Sequence, residues 1–139
     1  MTRQEIIIAK ISHIQESLGR IKSKQNITFR GFSKDRDIQD IVLLNLQIAI
    51  QGCIDIASHI ISDNNWGVPG SLSGLFDILA EEKVIKNDTK EIMRSMAGFR
   101  NLIVHEYAGL DMQKIYTIYT TRLSDFTDFL KEICIFAKL

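Results

Sequence analysis

Apolar residues recur along most of this chain at the three-and-four spacing of helices that bury one stripe. Ile7, Ile11, Ile14, Leu18 and Ile21 form one such stripe, the period of a helix with a single face packed in a bundle. Thr2-Arg3-Gln4-Glu5 has the spacing of a capping box, which predicts a first helix over residues 3–24. A polar stretch holding Asn26 and Gly31 ends it. A second helix is predicted from Asp35 or Asp37 to Ser62. It is the most apolar, so it is expected to be buried on more than one side, against the bundle or a second subunit. The segment DNNWGVPGS, residues 63–71, contains the only proline and two glycines and reads as a loop. Ser71 or Ser73 then caps a short third helix reaching Lys83. Asp88-Thr89-Lys90-Glu91 repeats the capping-box spacing and opens a fourth helix through Ile92, Met93, Met96 and Phe99, with Gly109 placed to end it. Asp111 caps a fifth, which carries Ile115, Ile118, Leu123, Phe126, Phe129, Leu130 and Ile133. No strand-period segment, internal repeat or linker interrupts this pattern. The expectation is one all-α domain over residues 1–139, an up-and-down helical bundle of four long helices and one short helix.

Composition narrows the function more than the fold. With 139 residues, 45% of them hydrophobic and 24% charged, the chain reads as an ordinary soluble domain able to bury a core. Seventeen basic residues balance seventeen acidic ones. That argues against a protein that coats nucleic acid through a global positive field, and leaves room for a local cleft. Cys53 and Cys134 have neither CxxC nor metal-ligand spacing and are expected to be buried, reduced thiols, as suits the cytoplasm. The N-terminus offers only three consecutive isoleucines between charges, unlike a signal peptide. The window 41–50 is apolar but too short to span a bilayer, and it contains Asn45 and Gln47. A cytoplasmic protein without membrane association is expected.

The stretch GFRNLIVHEY, residues 98–107, changes the picture. On a helical wheel with Arg100 at zero, Tyr107 falls at about −20°, Val104 at about 40°, Asn101 at about 100° and His105 at about 140°. One broad face would thus carry a guanidinium, an amide, an imidazole and a phenol. An imidazole exchanges a proton near neutrality. An arginine forks onto phosphate oxygens and stabilises the charge that builds up there. RNA brings its own nucleophile, the 2′-hydroxyl, so this set is sufficient for phosphodiester cleavage without a metal. From spacing alone, however, a structural arginine–histidine pair is the commoner outcome.

The run Arg100-Asn101-Leu102-Ile103-Val104-His105-Glu106-Tyr107 resembles the Arg-four-residues-His-any-Tyr motif of HepT-like toxins in the HEPN superfamily. MAGFRNLIVHEYAGLD is similar to that family's motif helix and its exit, and the second-helix segment IQGCIDIASHII to the family's corresponding helix. The resemblance covers essentially the whole chain in length and helix order. It implies a HEPN-type bundle and a metal-independent endoribonuclease, the toxin of a type VII toxin–antitoxin pair. It implies a homodimer whose two motif helices meet at a composite cleft, with no cofactor and no DNA substrate. The implied partner is an MntA-type minimal nucleotidyltransferase antitoxin, which would transfer AMP from ATP onto Tyr107. Carried over residue by residue, His105 is the acid–base group, Arg100 the phosphate stabiliser, Asn101 a polar support for His105 or substrate, and Tyr107 the modified switch. Glu106 falls at a variable position.

Other features have plainer readings. Asp55, His59 and Asp63 share one helix face at a spacing conceivable for a metal, but such a stripe is more often solvated carboxylates paired with the imidazole. His13 reads as a surface residue. Trp66 could stack on a base, though pinning its loop to the bundle is the commoner role. Lys90 and Arg94 could extend a phosphate track toward Arg100 or merely keep an exposed face soluble. Two rival functions stand beside the nuclease. One is a non-catalytic interaction module that binds a nucleotidyltransferase or nucleotide through the same face. The other is a plain bundle with no site.

Overall fold

A computed structural model describes residues 2–139 and contains seven α-helices, with no strand among those residues. The all-α expectation holds, while the count of four long helices and one short one does not. Helix α1 spans Arg3–Lys22, α2 Phe29–Lys34, α3 Arg36–Asp63, α4 Leu72–Glu81, α5 Asn87–His105, α6 Met112–Thr121 and α7 Ser124–Ala137, with a 3-10 turn at Tyr107–Gly109.

Helix α1 begins as its sequence dictates. The Thr2 side chain accepts the Glu5 amide and Glu5 accepts the Thr2 amide, a complete capping box. Its stripe, Ile7, Ile11, Ile14, Leu18 and Ile21, is buried against α3, the broadest seam in the fold. That seam closes at Gly52, where an added methyl carbon would stand 2.4 Å from Ile14 Cγ1. Helix α3 is buried on several sides, from Val42 and Leu43 through Ile60 and Ile61. Its length and mean hydropathy would suit a membrane span, unlike the ten-residue window considered above. Yet 56% of its most apolar window is buried within this fold, as befits the central helix of a bundle.

Three boundaries differ from the pattern of the sequence. The polar stretch after α1 is not a plain break: Thr28 caps α2 by accepting the Gly31 amide. Phe29 and Phe32 of α2 then pack on Tyr116 and Tyr119, with ring centroids 5.1–5.7 Å apart. The second supposed capping box does not form. Helix α5 starts two residues early, after Lys86, with no side-chain cap from its own N-cap residue. Glu132 of α7 supplies the cap instead: its carboxylate accepts the Lys86 amide at 2.7 Å and the Thr89 hydroxyl. The expected fifth helix is split at Arg122 and Leu123, where Arg122 leaves the helical region and its side chain reaches Asp125 at 3.0 Å. Asp111 caps the first of the two pieces, as expected.

The loop after α3 is where the glycines and proline placed it. Asn65 and Gly67 adopt positive φ, and Trp66 lies 6.0 Å from Phe136 of α7. The tryptophan pins the loop to the bundle. Cys53 is buried, and burial pushes its thiol pKa up, which makes it inert. Cys134 is only half-buried, not fully so. Both are free thiols.

Candidate active site

The C-terminal half of α5 turns one face to the core and another to solvent. Met93, Met96, Ala97, Phe99 and Ile103 are buried. Asn101, Leu102, Val104 and His105 are exposed, and Arg100 sits half-buried at the boundary. The motif therefore lies on the surface of the single chain rather than in its core. Leu102 is 39% exposed and Val104 42%, so two sizeable apolar side chains interleave with the polar ones.

Arg100, Asn101 and His105 fall where the helical wheel put them, on one side of α5. The Arg100 guanidinium donates to Asn101 Oδ1 at 3.4 Å, so the amide supports the arginine rather than the histidine. Arg100 Nε is shielded from solvent and has no hydrogen-bond partner among the described residues. Neither Arg100 nor His105 belongs to an ion pair among those residues, which removes the structural pairing that spacing alone favoured. A shielded Nε donor left unmet is costly. It is also ready for an anionic oxygen.

Tyr107 is not on the wheel at all. Helix α5 ends at His105, with Glu106 at φ −132° and ψ 38° capping it by donating its amide to Leu102 O. Gly109 closes the following 3-10 turn, not the helix. The turn carries Tyr107 back to the start of α3, where its hydroxyl donates to Asp40 Oδ1. That hydrogen bond, then partial burial and the Asp40 charge, raise the phenol pKa above its ordinary value, while Arg36 acts the other way. Arg36 Nε stands 3.8 Å from the same Asp40 oxygen. Asp40 escaped the sequence reading, since a partner 67 residues away leaves no local spacing to find.

The remaining candidates disperse. Asp55 accepts from Gln51 Nε2 at 2.9 Å and Asp63 pairs with Arg3 of α1, while His59 Nε2 is buried without a hydrogen-bond partner. The helix-face stripe is thus not assembled around an ion, and no group of three metal-ligating side chains occurs among the described residues. Arg94 lines a groove of about 330 Å³ with Ser71, Ser73, Ser95 and Asn101. Its charge is matched by Asp77, and Lys90 lies 3.3 Å from Glu91. The two residues do not form a free cationic track. His13 is exposed.

Comparison with known proteins bears on the family and the fold. The family model described as Ribonuclease HepT-like matches residues 14–133. The mRNA nuclease HepT of Shewanella oneidensis is 35% identical over 131 residues, covering 93% of this chain and 96% of the relative. The tRNA nuclease HepT of Aphanizomenon flos-aquae is 24% identical over 128 residues, covering 92% and 87%. Among solved structures, the tri-AMPylated Shewanella oneidensis HEPN toxin in complex with MNT antitoxin superposes with a TM-score of 0.87 at 33% identity, covering 97% of this chain and 99% of that one. The family match spans most of the chain and its fold, and the chain belongs to the HepT-like ribonuclease family.

Proposed function

We propose that this chain is a metal-independent endoribonuclease, the toxin of a type VII toxin–antitoxin pair, acting in the cytoplasm as a single domain over residues 1–139. The observation that carries the reading is the outward face of α5. Arg100, Asn101 and His105 share it, and neither Arg100 nor His105 has an ion-pair partner among the described residues. The named relatives act on mRNA and tRNA, which sets RNA as the substrate class.

In the proposed reaction, His105 takes the proton from the ribose 2′-hydroxyl as that oxygen attacks the adjacent phosphorus. The Arg100 guanidinium holds the phosphoryl oxygens while negative charge builds on them. The leaving 5′-oxygen is protonated by a second imidazole or by the same one after exchange. The second imidazole comes from a second copy of the chain. Leu102 and Val104 are apolar yet exposed beside the polar motif, and Gly98 one turn earlier meets no neighbour where a side chain would stand. A face of that kind suits burial against its own copy, making the cleft a joint product of two α5 helices.

The partner is an MntA-like nucleotidyltransferase antitoxin, by analogy with the MNT antitoxin held by the Shewanella oneidensis toxin. AMP placed on Tyr107, two residues from His105, would put a bulky anion at the mouth of the cleft and exclude RNA by charge and volume.

The test is cleavage of cellular RNA by the purified chain in EDTA, beside His105→Ala of matched melting temperature and oligomeric state. Loss of an acid–base group is expected to slow cutting about 10²–10⁴-fold, with 2′,3′-cyclic phosphate ends on the wild-type products. Equal cutting by both proteins would sink the assignment of His105. Absence of cutting by either would favour an interaction module that uses the same face.

A further inference from the structure

An adenylyl acceptor needs somewhere to send its proton, and Tyr107 already touches a carboxylate from another part of the fold. We propose that Asp40 is the proton acceptor and positioning carboxylate for adenylylation of Tyr107, so that the toxin contributes part of the chemistry that silences it. The inference rests on the reading of Tyr107 as the modified switch and adds a residue to it.

The geometry has three parts. Tyr107 lies on the 3-10 turn beyond the helix end, and is 39% exposed, so a donor nucleotide can reach it. Its hydroxyl donates to Asp40 Oδ1, which fixes the phenolic oxygen in one direction and leaves its lone pairs to the other side. Arg36, one turn earlier on α3, brings a positive charge within 3.8 Å of that same carboxylate oxygen and hence beside the position an incoming phosphate would take. None of the three residues is used in the proposed RNA cleavage.

The chemistry needs such an arrangement. A phenol in contact with a carboxylate is held in its protonated form, in line with the upward shift of Tyr107, and a protonated phenol is a poor nucleophile. As the Tyr107 oxygen attacks the α-phosphorus of a nucleoside triphosphate, the new O–P bond forms while the bond from that phosphorus to the β-phosphate bridging oxygen breaks. Pyrophosphate leaves with the electron pair. The phenolic proton passes along the existing hydrogen bond to Asp40 and from there to water. The product oxygen has no proton to donate, so the tie to Asp40 is lost and the new phosphate anion faces a carboxylate. Arg36 is the cation at hand to meet it.

The experiment follows label from α-phosphate-labelled ATP onto the full-length chain, in single turnover at saturating cognate antitoxin. Asp40→Asn keeps an acceptor oxygen but cannot take the proton, Asp40→Glu keeps the carboxylate, and Tyr107→Phe removes the acceptor. The expected result is a fall of about 10²-fold in the first transfer for Asp40→Asn, partial recovery in Asp40→Glu, and no label on Tyr107→Phe. A rate for Asp40→Asn within about twofold of wild type overturns the proton-acceptor role, and so do Asn and Glu variants that are equally slow, because the carboxylate would then not matter. Those outcomes leave the reading of Tyr107 as the switch intact. An unlabelled wild type, or label persisting on Tyr107→Phe, overturns that reading and this inference together.

Discussion

At the level of single residues, Tyr107 couples the motif to α3 through one proton. The Asp40 hydrogen bond, burial and the Asp40 charge all favour the neutral phenol, and only Arg36 opposes them. Burial, with the neighbouring Tyr116 as a smaller influence, raises Tyr119 to about 12. A phenol raised on folding stabilises the native state below its ordinary value of 10.0, and that contribution drains away as pH climbs through the raised one. Cys53, raised by burial from an ordinary value of 9.0, acts in the same direction, so thermal melts are expected to fall from pH about 9 upward and further above about 10. Absorbance titration of phenolate in wild type and Tyr107→Phe should show the missing transition to be one that begins above the ordinary value. A transition at or below that value would remove the basis for a phenol held protonated by Asp40. The motif residues on α5 were legible because they repeat within one helix. The Tyr107–Asp40 bond was not, since no local rule reports a contact between the chain's first third and its last.

Among the helices, α5 illustrates what a period can and cannot tell. The buried positions Met93, Met96 and Phe99 were readable as a stripe. Its start was misplaced because Asp88-Thr89-Lys90-Glu91 has the spacing of a cap while the real cap comes from Glu132 on α7. The break between α6 and α7 was equally hidden. No glycine or proline marks Arg122 and Leu123, and Leu123 is buried, so packing rather than local preference interrupts a helical run. Helix α2 had a faint signature, a threonine before two phenylalanines three apart, that its polar surroundings masked. Glu132→Ala would leave the Lys86 amide and Thr89 hydroxyl without their acceptor and remove a negative charge from a helix N-terminus. The expected cost is about 1–2 kcal/mol, with faster hydrogen exchange confined to the first turn of α5 and little change near His105. Exchange that rises equally along all of α5 would mean that Glu132 holds the helix in place rather than capping its end.

The whole molecule is organised around the pairing of α1 with α3, and Gly52 lets the two approach. A methyl group there would meet Ile14, which has no exposed surface and so little room to yield. Overpacking of this kind costs about 1–3 kcal/mol, against less than about 1 kcal/mol regained from alanine's better helix propensity. Gly52→Ala is thus expected to lower the melting temperature by several degrees without touching Arg100, His105 or Tyr107, as calorimetry and an RNA-cleavage assay below the transition would establish. An unchanged or higher melting point would mean that the seam relaxes at no cost. If the seam is as unforgiving as its geometry indicates, one methyl gives geneticists a thermostat. On the proposed reading, cells could carry such an allele without its antidote at a warm growth temperature and be poisoned on cooling, turning a gene that is awkward to propagate into one that can be switched by moving a flask.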